Sequence, residues 1–125
     1  MAHTCSSIES VASPQILWHY RLMYEPFPVS EELEQLIKEA MLRIDIITNG
    51  VPELKAEFQQ GSDARKDDLP LDPNQTTSWR GGWMTTDLEY AGGNAYLAGN
   101  PFDQSQTVFW RMGYLGQKNL EDQLR

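Results

Sequence analysis

This sequence has almost none of the residues that usually carry chemistry. Its 125 residues include one cysteine, Cys5, and two histidines, His3 and His19. A single thiol excludes an intrachain disulfide and fits a reducing compartment. One Cys and two His offer no metal-ligand spacing. Cys5 has no neighbouring base in the sequence, and His19, beside Trp18, reads as structural. Gly81-Gly82 and Gly92-Gly93 lack the Lys-Ser/Thr sequel of a phosphate-binding loop. No carboxylate pair is singled out by spacing. Neither a metal nor another cofactor is therefore expected, and the chain does not read as an enzyme. No stretch approaches the roughly 18 apolar residues that cross a bilayer, so no membrane contact is expected. Met1 to Ser13 lacks the apolar run of a secretory signal, and the expected location is cytoplasmic.

Positive charge is also scarce. Ten Lys and Arg stand against eighteen Asp and Glu, a formal net charge of −8. The excess is spread evenly: ten acids against six bases over residues 1–66, and eight against four over 67–125. Phosphate repels such a chain, which sets it against unaided nucleic-acid binding. The acid serves solubility, and it also offers a face to a partner with a basic surface.

What is present is helical patterning and a wealth of aromatics. Four Trp, five Tyr and four Phe are costly to leave in water, so a packed core is expected. The length suits one domain, 1–125, with 1–12 a flexible tail and N-terminal helices over 14–50. Ser13-Pro14 opens a short helix over 14–24. Ser30 caps a longer one over 31–48, with Glu31, Glu32 and Glu34 in its first turn. Leu33, Leu36, Ile37, Ala40, Met41 and Ile44 form its apolar stripe, and Asn49-Gly50 stops it. Val51-Pro52-Glu53 starts another helix, buried along Leu54, Phe58 and Gly61, which fades into a solvated charged run over Asp63 to Asp68. Residues 77–98 read as one long helix or as two broken near Gly92, because glycine weakens a helix by about 1 kcal/mol relative to Ala. Thr107 caps the last. No segment alternates like a strand. The expected fold is all-α, a small bundle of about five to six helices.

The C-terminal half also repeats itself. The stretch Pro70 to Trp83 reappears 31 residues later as Pro101 to Tyr114, with Pro, Asp, Gln, Thr, Trp, Arg and Gly in register. The preceding helices match with a one-residue slip, Glu57 to Gly61 against Glu89 to Gly93. Two tandem helix-loop-helix units are expected, 52–87 and 88–125. Trp79 and Trp83, four apart, share a helical face, and Gly82 and Gly113 on that face admit a close neighbour. The aromatics serve either as core or as exposed contact anchors. Asp72 and Asp103 occupy equivalent loop positions and are the expected ion partners of Arg80 and Arg111, within a unit or across the two.

Gly93 to Phe102, followed by Trp110-Arg111-Met112-Gly113-Tyr114, resembles the ribosome modulation factor family. Trp79-Arg80-Gly81-Gly82-Trp83 carries the first copy of the likeness, which spans residues 57–117 at most. The resemblance implies a two-helix shape framed by Pro101, Phe102, Trp110, Gly113 and Tyr114, and association with the ribosome. Residues 67–125 hold only Arg80, Arg111, Lys118 and Arg125 as cations, which argues against the family's RNA contact. The favoured expectation is a small interaction protein that modulates or inhibits a protein partner, of the kind common among phage and mobile-element products that disable nucleic-acid machinery. The partner-contact candidates are Trp79, Arg80, Trp83, Phe102, Trp110, Arg111 and Tyr114. A ribosome-associated regulator is the alternative, and an enzyme the least favoured.

Overall fold

The computed structural model describes residues 29–124, and among these every regular element is a helix. They are α1 (Glu31–Thr48), α2 (Pro52–Lys66), α3 (Thr77–Leu97) and α4 (Val108–Gln123). The helix expected over 14–24, the tail 1–12, and Cys5, His3 and His19 lie outside the described residues.

Each helix begins and ends for a local chemical reason. Ser30 Oγ accepts the Leu33 amide at 3.2 Å, and Thr76 and Thr107 do the same for Trp79 and Trp110, each at 3.2 Å. These caps satisfy donors that the first turn leaves without a partner. Pro52 opens α2, where its missing N–H costs nothing. At the far ends, Asn49, Asp68 and Gly99 adopt positive φ of 52°, 61° and 82°. The amide of the next residue then reaches back to the carbonyl of Asp45, Ala64 or Ala95, each at 2.9–3.0 Å. This is the Schellman closure.

One expectation changes here, and one open alternative is decided. α2 does not fade at Asp63 but runs to Lys66, because Ser62 and Ala64 are buried against its neighbour and hold the last turn in place. α3 does not break at Gly92. Four helices are therefore described, where five to six were expected; one expected helix lies outside the described residues, and the break that would have made a sixth does not form.

α3 packs along α2 and along α4, and α1 lies mainly on α4. A Cβ placed on Gly82 would fall 1.8 Å from the Phe58 carbonyl oxygen, and one on Gly61 would fall 1.8 Å from that of Trp79. Between α3 and α4 the same reciprocity holds: Gly92 against the Trp110 carbonyl at 1.9 Å, and Gly113 against that of Glu89 at 2.1 Å. The crossed numbering makes both pairs antiparallel. In each contact a glycine Hα occupies the direction of the missing Cβ and points at a carbonyl oxygen. Such Cα–H···O contacts are worth about 0.5–1 kcal/mol apiece. The two α2–α3 contacts recur between α3 and α4 at an offset of 31 with no slip: Gly61 corresponds to Gly92 and Phe58 to Glu89. The one-residue slip expected in the first helices is thus corrected.

The apolar core sits elsewhere, between α1 and α4. Leu33, Leu36, Ile37 and Ala40 meet Val108, Phe109 and Met112, with Val29, Ile44, Leu88 and Leu115 at the margin. Ser30 N also donates to Asn119 Oδ1 at 3.2 Å, tying the start of α1 to α4. Met41, expected in the apolar stripe, is 61% exposed instead. It lies at the edge of the stripe, turned away from α4.

The adjacent glycines of α3 should respond with opposite sign. Gly92→Ala forces its methyl into the Trp110 carbonyl and is expected to destabilise by about 3 kcal/mol, the upper end of overpacking. Gly93→Ala meets its nearest atom at 3.6 Å, an ordinary contact. It is expected to gain up to about 1 kcal/mol from helix propensity. Urea unfolding of the two variants checks the difference.

Candidate functional site

The seven candidate contact residues fall at two equivalent places, one beside each interhelical loop. In the first loop Asp72 Oδ1 accepts the Asn74 amide at 2.9 Å, and the Asp72 carbonyl accepts the Gln75 amide at 3.2 Å. In the second, Asp103 Oδ1 accepts the Ser105 amide at 2.9 Å and the Ser105 hydroxyl at 2.6 Å. The Ser105 hydroxyl and amide hold the Asp103 carboxyl below its ordinary value.

The Arg–Asp pairs expected across these loops do not form. Arg80 Nε donates to the Gln75 carbonyl at 3.1 Å, and Arg111 Nε to that of Gln106 at 3.0 Å. Each Asp is occupied by the amides of its own turn, so the guanidinium closes the loop through the backbone instead. Asp and Arg still act on one loop, joined through Gln75 or Gln106. A third fastening comes from the aromatic that ends the motif. Trp83 Nε1 donates to the Leu69 carbonyl at 2.8 Å, and the Tyr114 hydroxyl to that of Asn100 at 2.7 Å.

Burial divides the candidates. Trp79, Trp110 and Tyr114 are buried, although an edge of Trp110 lines an open groove with Pro101 and Phe102. Arg80, Trp83, Phe102 and Arg111 are half-buried. Around the second loop, Phe102, Trp110 and Tyr114 form one cluster with centroids 5.3–6.2 Å apart, and Tyr96 meets Tyr114 edge-on at 5.4 Å. At the first loop a cation takes the place of that ring. The Arg65 guanidinium lies 4.6 Å from the Tyr90 centroid and 5.7 Å from that of Trp83, and its Nε donates to Asp87 Oδ1 at 2.8 Å. Arg65 stands 31 positions before Tyr96. The charged run read as solvated therefore contributes a packed cation.

Two features escaped sequence reading. One is a polar interior. Ser62 Oγ and Thr86 Oγ1 share a hydrogen bond of 2.6 Å between α2 and α3. Glu89 and Gln117 are buried between α3 and α4. Burial pushes the Glu89 carboxyl from 4.5 up to about 8, and the charge of Lys66 offsets part of this. The other is an exposed apolar pair on α1: Leu42 and Ile46 are 63% and 74% exposed. Leu42 and Ile46 are four apart and opposite the buried stripe, a spacing that a helical wheel would have displayed. Beside them runs a groove of about 460 Å³ between α1 and the second loop, with Leu36, Leu42 and Phe102 along it and Glu32, Glu39 and Arg111 at its edges.

No group of His, Cys, Asp and Glu suited to a metal ion occurs among the described residues. No described helix is long and apolar enough to cross a membrane. No protein-family model matches the chain, and neither a curated protein nor a solved structure matches it.

Glu89 makes stability depend on pH with a definite sign. Its folded pKa lies above the unfolded value, so its contribution is complete below about pH 4.5 and is lost as pH rises toward 8. Stability should fall over that window by up to about 1.4 kcal/mol per pH unit. Glu89→Gln, which keeps the neutral shape, should flatten the profile in urea titrations at successive pH values. Tyr114→Phe removes one loop fastening and should cost about 1 kcal/mol by the same measurement.

Proposed function

We propose that the chain is a small acidic interaction protein, built on two copies of one helix-loop-helix unit. In this reading it binds a protein partner with a basic surface and modulates or inhibits it. The observation that carries the reading is the exposed pair Leu42 and Ile46 on the acidic helix α1. Large apolar side chains grouped outside the core mark a contact surface. Five acids against two bases on that helix select a basic counterpart. The half-buried Arg80, Trp83, Phe102 and Arg111 extend the candidate surface, while Trp79, Trp110 and Tyr114 hold its scaffold. No catalytic role belongs to this reading.

The resemblance to ribosome modulation factors supports a second reading, in which the partner is ribosomal. The rigid Pro101-Phe102 loop, fastened by Arg111 and Tyr114, is the part that would carry it.

One set of fractionations tests both. Full-length protein immobilised as bait should retain a stoichiometric protein partner at low salt and lose it as salt rises. Retention of nothing at low salt overturns the first reading. Co-sedimentation with ribosomal particles from growing or resting cells is expected only of the second, and absence from every ribosomal fraction removes it.

A further inference from the structure

We propose that Asn49-Gly50, at the end of α1, is a site of spontaneous deamidation that the helix closure holds shut, so that modification proceeds only when that end of the helix opens. Nothing in this site depends on the identity of a partner.

The sequence singles out the bond. Five asparagines occur in the chain, and Asn49 is the one followed by glycine. The others precede Gln75, Ala95, Pro101 and Leu120. An asparagine side chain is attacked by the backbone nitrogen of the next residue, and glycine there presents no Cβ to obstruct the approach. The Gly50 nitrogen bonds to Asn49 Cγ, the Cγ–Nδ2 bond breaks, and ammonia leaves with the proton that the nitrogen carried. A five-membered succinimide remains. Water then adds to one of its two carbonyl carbons and opens the ring. Opening at Cγ leaves aspartate. Opening at the main-chain carbonyl leaves isoaspartate, in which the chain runs on through Cβ and Cγ. Asn49 and Gly50 are both exposed, so water reaches the bond.

The fold holds the reacting atoms apart. Asn49 has φ 52° and ψ 25°. This ψ places the Gly50 nitrogen nearly opposite the Asn49 Cβ across the Cα–C bond, whereas ring closure needs the two on the same side. The Gly50 amide donates to the Asp45 carbonyl at 3.0 Å, and the Asn49 amide to that of Ile46 at 3.3 Å. Beneath the turn Thr48 is fully buried, and its Oγ1 donates to the Ile44 carbonyl at 2.8 Å. Lys55 Nζ lies 2.9 Å from Asp45 Oδ1 and braces α2 against the same turn. Rotation about ψ brings the nitrogen to Cγ only by breaking the Gly50 hydrogen bond and releasing the last turn of α1. Isoaspartate then lengthens the main chain within that closure. It also adds a carboxylate at a helix end whose last turn holds no basic residue, where the dipole disfavours negative charge. The modified end does not regain its closure, and the change runs one way.

Incubation of the full chain in mildly alkaline buffer tests this, with isoaspartate counted by an isoaspartyl methyltransferase and located by peptide mass. The native chain should accumulate it at Asn49 at least about tenfold more slowly than the chain unfolded in urea, since two backbone hydrogen bonds must be lost first. A synthetic peptide spanning residues 46–53, with and without urea, sets the unprotected rate and corrects for urea itself. Thr48→Ala, which empties a buried position under the turn, should raise the native rate and leave the rate in urea unchanged. Should that variant not fold, Lys55→Ala removes the brace from the surface and carries the same expectation. Equal rates in the native and urea-unfolded chain overturn the protection. Absence of isoaspartate at Asn49 from both the unfolded chain and the peptide overturns the site. A native rate that a folded variant leaves unmoved overturns the gating by this turn.

Discussion

Helices α2, α3 and α4 touch backbone to backbone, and the rest of the described structure is arranged around that fact. A glycine on each helix of a pair lies against a carbonyl on the other, so neither partner can shift or rotate without a collision. The contact leaves no room for large rings along the seam, and these are displaced to its ends. There they lie beside the loops, where Trp83 and Tyr114 fasten the chain before it turns. Burial of Trp79 and Trp110 is a consequence of this crowding as much as of their hydrophobicity.

A seam made of backbone also explains the polar interior. Between helices this close, small hydroxyls fit where Leu or Phe would not, hence Ser62 against Thr86. Glu89 shares the seam because its main chain receives Gly113, and its carboxyl is carried into the interior by the helix. Greasy packing is left to α1 and α4, where the apolar cluster forms. The protein thus separates two kinds of cohesion: contacts set by shape along α2, α3 and α4, and burial of apolar area where α1 covers them.

Local signals were legible, and distant ones were not. Ser30, Thr76 and Thr107 cap as their side-chain chemistry dictates, and the stop at Asn49-Gly50 follows from backbone preference. The close approach at Gly82 and Gly113 was visible from their spacing to the tryptophans. Their counterparts Gly61 and Gly92 were read as a stripe position and a weak point, because reciprocity between helices leaves no trace within either one. The same limit explains Arg80 and Arg111. Opposite charges nearby in sequence suggested Asp72 and Asp103, yet the turns had already claimed those carboxylates. Leu42 and Ile46 lie opposite the buried stripe, where an apolar side chain follows no core pattern. The acidic charge is plain in the composition.

The register of 31 also shows where the pattern ends. Counting on from Gly92 leads to Gln123, and counting back from Gly82 leads to Val51. Both carry a Cβ where the pattern needs a bare α-carbon. A further helix could not nest on α4 as α4 nests on α3, whether it came from this chain or from a neighbouring molecule. The glycine-to-carbonyl pattern therefore stops at both ends at two ordinary residues.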